Sequence, residues 1–126
     1  MRPVAPAATA SHRHTVTEAD VAAFADSPAH QVYGTAAMVR DMEHAARKVL
    51  LDLLEPAEEG VGAEVWCRHV APVPVGATVE LSARAVEQTP RRLVCTVEAR
   101  HEGRLVGEGR VTQVVIDPER FPPPPP

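Results

Sequence analysis

A change of hydrophobic period near residue 60 constrains the fold of this chain more than any other feature. From Tyr33 to Leu54, in YGTAAMVRDMEHAARKVLLDLL, the apolar residues Met38, Met42, Ala45, Val49 and Leu53 recur at spacings of three and four. That is the signature of a helix with one buried face, and Pro56 stops it. Beyond AEEGVG the period falls to two. GAEVWCRHVAPV, ATVELSARAVEQ, RLVCTVEARHE and GRLVGEGRVTQVVID alternate apolar with polar residues, as half-buried strands do. PVG at 74–76 and TPRR mark turns between them, and Glu102-Gly103 is a tight hairpin signal.

One helix at about residues 34–54 and a four-stranded antiparallel meander fit one economical arrangement. The sheet wraps around the helix, and a strand in HRHTVT (12–17) completes it. This is an α+β hotdog fold. It leaves a sheet edge and part of the helix uncovered, and pairing two copies across a two-fold axis cures both. The expectation is therefore a homodimer or a higher homo-oligomer. TEADVAAFA, with Thr17 as N-cap, predicts a short helix, and DSPAHQ a loop. The folded domain is expected over 11–121, with a Pro/Ala-rich N-terminus (1–10) and a polyproline tail (122–126) disordered outside it.

Bulk properties exclude several functions. A net charge of -4 supplies no basic surface for nucleic acid. No run of eighteen apolar residues is present to span a membrane, and MRPVAPAATASHRH lacks the apolar core of a secretion signal, so a cytoplasmic location is expected. Cys67 and Cys95 then read as reduced, small core residues. Aromatics at 3% leave little material for stacking bases or sugars. No phosphate-cradling, dinucleotide, nucleophile-elbow or metal-binding spacing occurs, so neither cofactor nor metal is expected.

Three side chains stand out. Advancing 100° per residue from Met42 places Glu43 at the border of the apolar arc, beside Val39, Ala46 and Leu50, with Arg40, His44, Arg47 and Lys48 pointing elsewhere. A carboxylate partly removed from water gains basicity, which suits proton abstraction or nucleophilic attack; the alternative is a border Glu that swings into solvent. Thr35 lies two turns earlier. It is either the helix cap or part of a site in which Gly34-Thr35 presents unpaired backbone N–H groups to a developing oxyanion. His69 shares a strand face with Ala63, Val65 and Cys67, as a hydrogen-bonded core imidazole or as a catalyst within reach of Glu43. A Cys67/His69 nucleophile pair is a further reading, without an orienting Asn or Asp.

Thr35 and Glu43 within TAAMVRDMEHA, LLEPAEEGVG leading into a strand, Gly62 seven residues before His69, the PVPVG turn and VIDPERF resemble the fluoroacetyl-CoA thioesterase-like family of hotdog proteins over residues 32–121. The resemblance implies hydrolysis of an acyl-CoA substrate by Thr35, Glu43 and His69 at a dimer interface, with Gly62 as a backbone contact near the substrate. It does not carry over the narrow acyl specificity, because DSPAHQ has no large apolar residue to close over a small fluorinated acyl group. A hotdog module that binds acyl-CoA or another apolar ligand without turnover, a hydratase and a purely structural dimer are the rival readings.

Overall fold

The structure, a computed structural model, describes residues 1–22, 27, 31–121 and 125. Its elements are β1 (Thr9–Thr15), a 3-10 turn (Glu18–Asp20), α1 (Thr35–Leu51), β2 (Glu59–His69), β3 (Thr78–Thr89), β4 (Arg92–His101) and β5 (Arg104–Ile116). The strands form one antiparallel sheet in the order β1-β3-β4-β5-β2, and α1 packs across its inner face.

The expected meander holds for only three strands. β3, β4 and β5 pair in sequence order, the last two through Glu102-Gly103, whose positive φ values of 49° and 76° are those of a tight hairpin turn. β2 does not pair with β3. It joins β5 at the far edge, so the PVG turn, with Gly76 at φ 94°, directs a crossover rather than a hairpin. β1 takes the other side of β3, leaving β1 and β2 as the two edges.

The helix begins one residue later than expected and ends three earlier, because Asp52 already closes its last turn. Met38, Met42, Ala45, Val49 and Leu50 are buried beneath it against Val79 and Leu81 of β3, Leu93 and Val97 of β4 and Val111 of β5. Burying each Met or Leu contributes about 1.5–3 kcal/mol. The close approach of helix to sheet needs two glycines. A Cβ on Gly107 would lie 2.3 Å from Met38 Sδ, and one on Gly109 would lie 2.6 Å from Met42 Sδ and 2.7 Å from the Trp66 carbonyl.

β2 contains a bulge. Its register with β5 shifts between Gly62 and Glu64, so Ala63 is the extra residue and is exposed. Gly60 and Gly62 before the bulge, and Val65, Cys67 and His69 after it, face the helix; Ala63 does not join them as alternation had suggested.

Before β1 the chain is fixed rather than disordered. The Arg2 amide donates to the Leu53 carbonyl at 2.7 Å and the Val4 amide to Gln88 Oε1 at 2.9 Å, so a prolyl-rich segment is held by the few amides it does have. The first strand starts at Thr9 rather than residue 12. Of the helix expected from Thr17, the 3-10 turn is what the described residues contain; most of the rest, most of DSPAHQ, and the tail at 122–124 and 126 lie outside them. No helix among the described residues is long and apolar enough to cross a membrane.

Candidate active site

Two hollows open along α1. The first, of about 340 Å³, lies beside the middle of the helix and is lined by Glu43, Gly62, Val111 and Gln113 among others. The second, of about 920 Å³, lies at the helix start and takes in Tyr33, Gly34, Thr35, His69 and Ala71. Ala36 and Arg40 border both.

Thr35 is not the helix cap. Gly34 occupies that position, and Thr35 is the first helical residue, so its hydroxyl is free of capping and meets His69 Nδ1 at 3.2 Å. The opposite ring atom, Nε2, is buried and has no hydrogen-bond partner among the described residues. Burial pushes the His69 pKa below the ordinary imidazole value, an effect the Ala71 backbone partly offsets, and the ring is neutral at pH 7. The edge of Tyr33 packs against it, with centroids 6.1 Å apart.

Gly34 differs from expectation in one respect. Its amide is not unpaired but donates to the Asp20 carbonyl at 2.8 Å, and a Cβ there would come within 2.9 Å of the same oxygen. The later amides at the helix start, which have no intrahelical acceptors, remain the donors there.

Glu43 is exposed in the single chain, and Arg40, His44 and Arg47, expected to point away from it, border the same hollow. The desolvation anticipated from its position in the helix is therefore not supplied by its own chain. Glu43 stands over Gly62, where a Cβ would fall 2.9 Å from Glu43 Oε2. No hydrogen bond joins Glu43 to His69 among the described residues, and eight residues of helix separate Glu43 from Thr35, a rise of about 12 Å. Thr35 with His69, and Glu43 with Gly62, form two separate pairs, each on its own hollow.

Cys67 is half-buried on the face it shares with His69, and burial raises its thiol pKa; Cys95 is buried and pushed up to about 11. Neither thiol is poised as a nucleophile.

The other flank of the helix carries polar groups that sequence reasoning passed over. Asp41 and Asp20 are buried, at 1% and 4% exposure. The Tyr33 hydroxyl donates to Asp41, while Arg40 pairs with Asp41 at 3.1 Å and with Asp20 at 2.9 Å. His14 Nε2 meets Asp20 at 2.7 Å, and His12 stacks on His44. Burial alone would raise the pKa of the Asp20 carboxyl, but the Thr17 amide, His14 and Arg40 outweigh it and hold it well below the usual carboxylate range. Burial, reinforced by Asp41, drives the Tyr33 hydroxyl pKa upward. Gln113 was also missed. It faces the helix with Gly107, Gly109, Val111 and Val115, and a polar residue on that otherwise small and apolar strand face was the available signal.

With this geometry in place, comparison with known proteins is decisive. The sequence profile of the fluoroacetyl-CoA-specific thioesterase family, FlK, matches residues 16–119. The chain belongs to that family. As a family member it is a thioester hydrolase with the hotdog fold. A solved structure of a hypothetical protein from Thermus thermophilus, described as a thioesterase superfamily member, is 38% identical with a TM-score of 0.89, matching over 95% of this chain and 89% of that one. The fluoroacetyl-CoA thioesterase FlK is 27% identical with a TM-score of 0.83, over 94% and 93% of the two chains. A thioesterase from Haemophilus influenzae, at 21% identity and a TM-score of 0.74 over 86% and 72%, shares the fold. A search of curated proteins gives no significant match.

Proposed function

We propose that this family member hydrolyses small or medium acyl-CoA thioesters at a site completed by two copies of the chain, with Thr35 and His69 supplied by one copy and Glu43 by the other. The observation that carries the reading is the separation of the two half-sites. Thr35 and His69 lie within hydrogen-bonding distance, yet Glu43 of the same chain is about 12 Å further along the helix and opens onto a different hollow.

β2 supports the arrangement. It is an edge strand of eleven residues carrying Gly62 and His69, and pairing it with a second copy about a two-fold axis covers the exposed Glu43 and closes both hollows.

In this site the thioester carbonyl docks by the start of α1, where backbone donors and the positive end of the helix dipole favour the developing oxyanion. The Thr35 hydroxyl fixes one ring nitrogen of neutral His69 and leaves Nε2 for the substrate. The Glu43 carboxylate delivers the oxygen nucleophile from the other side, and Gly62 leaves room for it. FlK itself acts on fluoroacetyl-CoA; that narrow preference is not assigned here, and DSPAHQ, whose composition argues against it, lies mostly outside the described residues. Free Cys67 and Cys95 suit a reducing cytoplasm.

The test is a panel of acyl-CoAs followed by released thiol. Glu43→Gln and His69→Ala each lower turnover by about 10³-fold while melting temperature and dimer mass are unchanged. Mixing the two inactive variants regenerates intact sites in heterodimers and restores about a quarter of wild-type activity. Failure of the mixture to recover activity, with subunit exchange demonstrated, removes the shared site; saturable acyl-CoA binding by wild type without turnover moves the reading to a binding module.

A further inference from the structure

Gln113 is 5% exposed, and its amide nitrogen is buried with no hydrogen-bond partner among the described residues. Its neighbours within the sheet are apolar. Leu93 of β4 and Gly62 of β2 are its cross-strand neighbours, and Val111 and Val115 precede and follow it on the same strand face. An amide left unpaired there opposes folding, and a Leu or Met of the same length removes that cost. The side chain borders the hollow that also holds Glu43.

Gly62 sets the spacing between these two groups. It is the register partner of Gln113, and Cβ positions of such partners lie about 4.5–5.5 Å apart. A Cβ on Gly62 would sit 2.9 Å from Glu43 Oε2. The carboxylate stands over Gly62, Gln113 is the register partner of that glycine, and both side chains line the one hollow. Arg40 and Arg47, also on the hollow, are donors only and cannot satisfy an N–H; the His44 ring stacks on His12, and the Glu43 carboxylate only accepts. Whatever bridges the amide and the carboxylate must accept from the first and donate to the second. Water is the smallest molecule that does both.

We propose that Gln113 and Glu43 together hold the water that hydrolyses the thioester, with Glu43 as its general base. This rests on the thioesterase reading of Glu43 given above. The water oxygen accepts from the Gln113 amide, passes a proton to the Glu43 carboxylate and bonds to the carbonyl carbon, whose π electrons move to oxygen. When the tetrahedral intermediate collapses, the C–S bond breaks and the proton on Glu43 goes to the departing thiolate, giving a carboxylic acid and a free thiol.

Gln113→Met tests the assignment, with Glu43→Gln alongside and hydroxylamine as an alternative nucleophile. The expected result for Gln113→Met is a fall in kcat of about 10- to 100-fold, with KM within about threefold, a melting temperature equal to or above wild type, and a rise in the ratio of hydroxamate to free acid. Single turnover in oxygen-18 water leaves no label in the Glu43 carboxylate. An unchanged kcat in Gln113→Met overturns the proposal, as does a raised KM at constant kcat, which would place the amide on the acyl group. A parallel loss of hydroxamate and acid, or label in Glu43, also overturns it. Glu43→Gln separates the two levels: if it is fully active, the thioesterase site itself is wrong, and if it is inactive while Gln113→Met is not, only the water assignment fails.

Discussion

The two flanks of α1 handle polar groups in opposite ways. Toward β1, Asp41, Asp20, Arg40, Tyr33 and His14 form a closed set in which each charged or hydroxyl group has a partner, much of it out of water. Toward β2, Thr35 and His69 satisfy only half of their capacity, Gln113 leaves a buried donor open, and Glu43 stands over a glycine. Both flanks lie on one helix against one sheet, so the difference is not one of fold type. A saturated polar network holds elements together; an unsaturated one leaves donors and acceptors open, which is what the proposed site uses.

The largest effect that would break this contrast is on the saturated side. Asp41→Ala strips Arg40 and Tyr33 of a buried acceptor and should cost about 3–5 kcal/mol in urea unfolding. A cost under 1 kcal/mol would mean that the network does not clamp β1 to the helix. On the open side, Gly62→Ala drives a methyl group to within 2.9 Å of Glu43 Oε2, an atom at the end of a flexible side chain. It should therefore lower kcat by about 10- to 100-fold, some 1.4–2.7 kcal/mol, and leave stability almost unaltered. A large loss of stability instead would make Gly62 a packing residue like Gly109, where the Trp66 backbone stands in the way.

The smallest effect concerns acid. Because Asp20 binds its proton more weakly folded than unfolded, its contribution is complete above the ordinary Asp pKa of about 3.9 and is lost as pH falls below that value toward the depressed one. Urea titrations at successive pH should show Asp20→Asn flattening this acid limb by about 1–2 kcal/mol; parallel curves for variant and wild type would exclude it.

How much of this was legible in the sequence follows from what each feature depends on. The helix and the strands are local, and periods of 3.6 and 2 displayed them in Met38, Met42 and Val49 and in the alternation from Val79 to Ala83. The crossover of β2 is not local: adjacency in sequence favours a hairpin, and nothing between His69 and Thr78 signals that β2 belongs beside β5. Thr35, Glu43, Gly62 and His69 stand out by position and by family resemblance, and the structure sets them in two pairs on two hollows rather than in one cluster. Asp41 gave no sign, since a buried carboxylate is tolerated only through partners at Arg40 and Tyr33 that tertiary packing supplies. Gln113 did give a sign, as the one long polar side chain on the inner face of β5.

The bulge at Ala63 sets Gly62 and His69, seven residues apart, on the same side of β2. An unbroken strand would put an odd separation on opposite sides. The strand is thus two segments out of phase by one residue, joined at a slip, and its length is locked to its chemistry. Deleting Ala63 would leave an ordinary strand that pairs along its whole length, with either the floor beneath Glu43 or the imidazole turned out to solvent. Substitutions at that exposed alanine should be tolerated freely while a one-residue deletion is not, so the position conserves a count rather than a side chain.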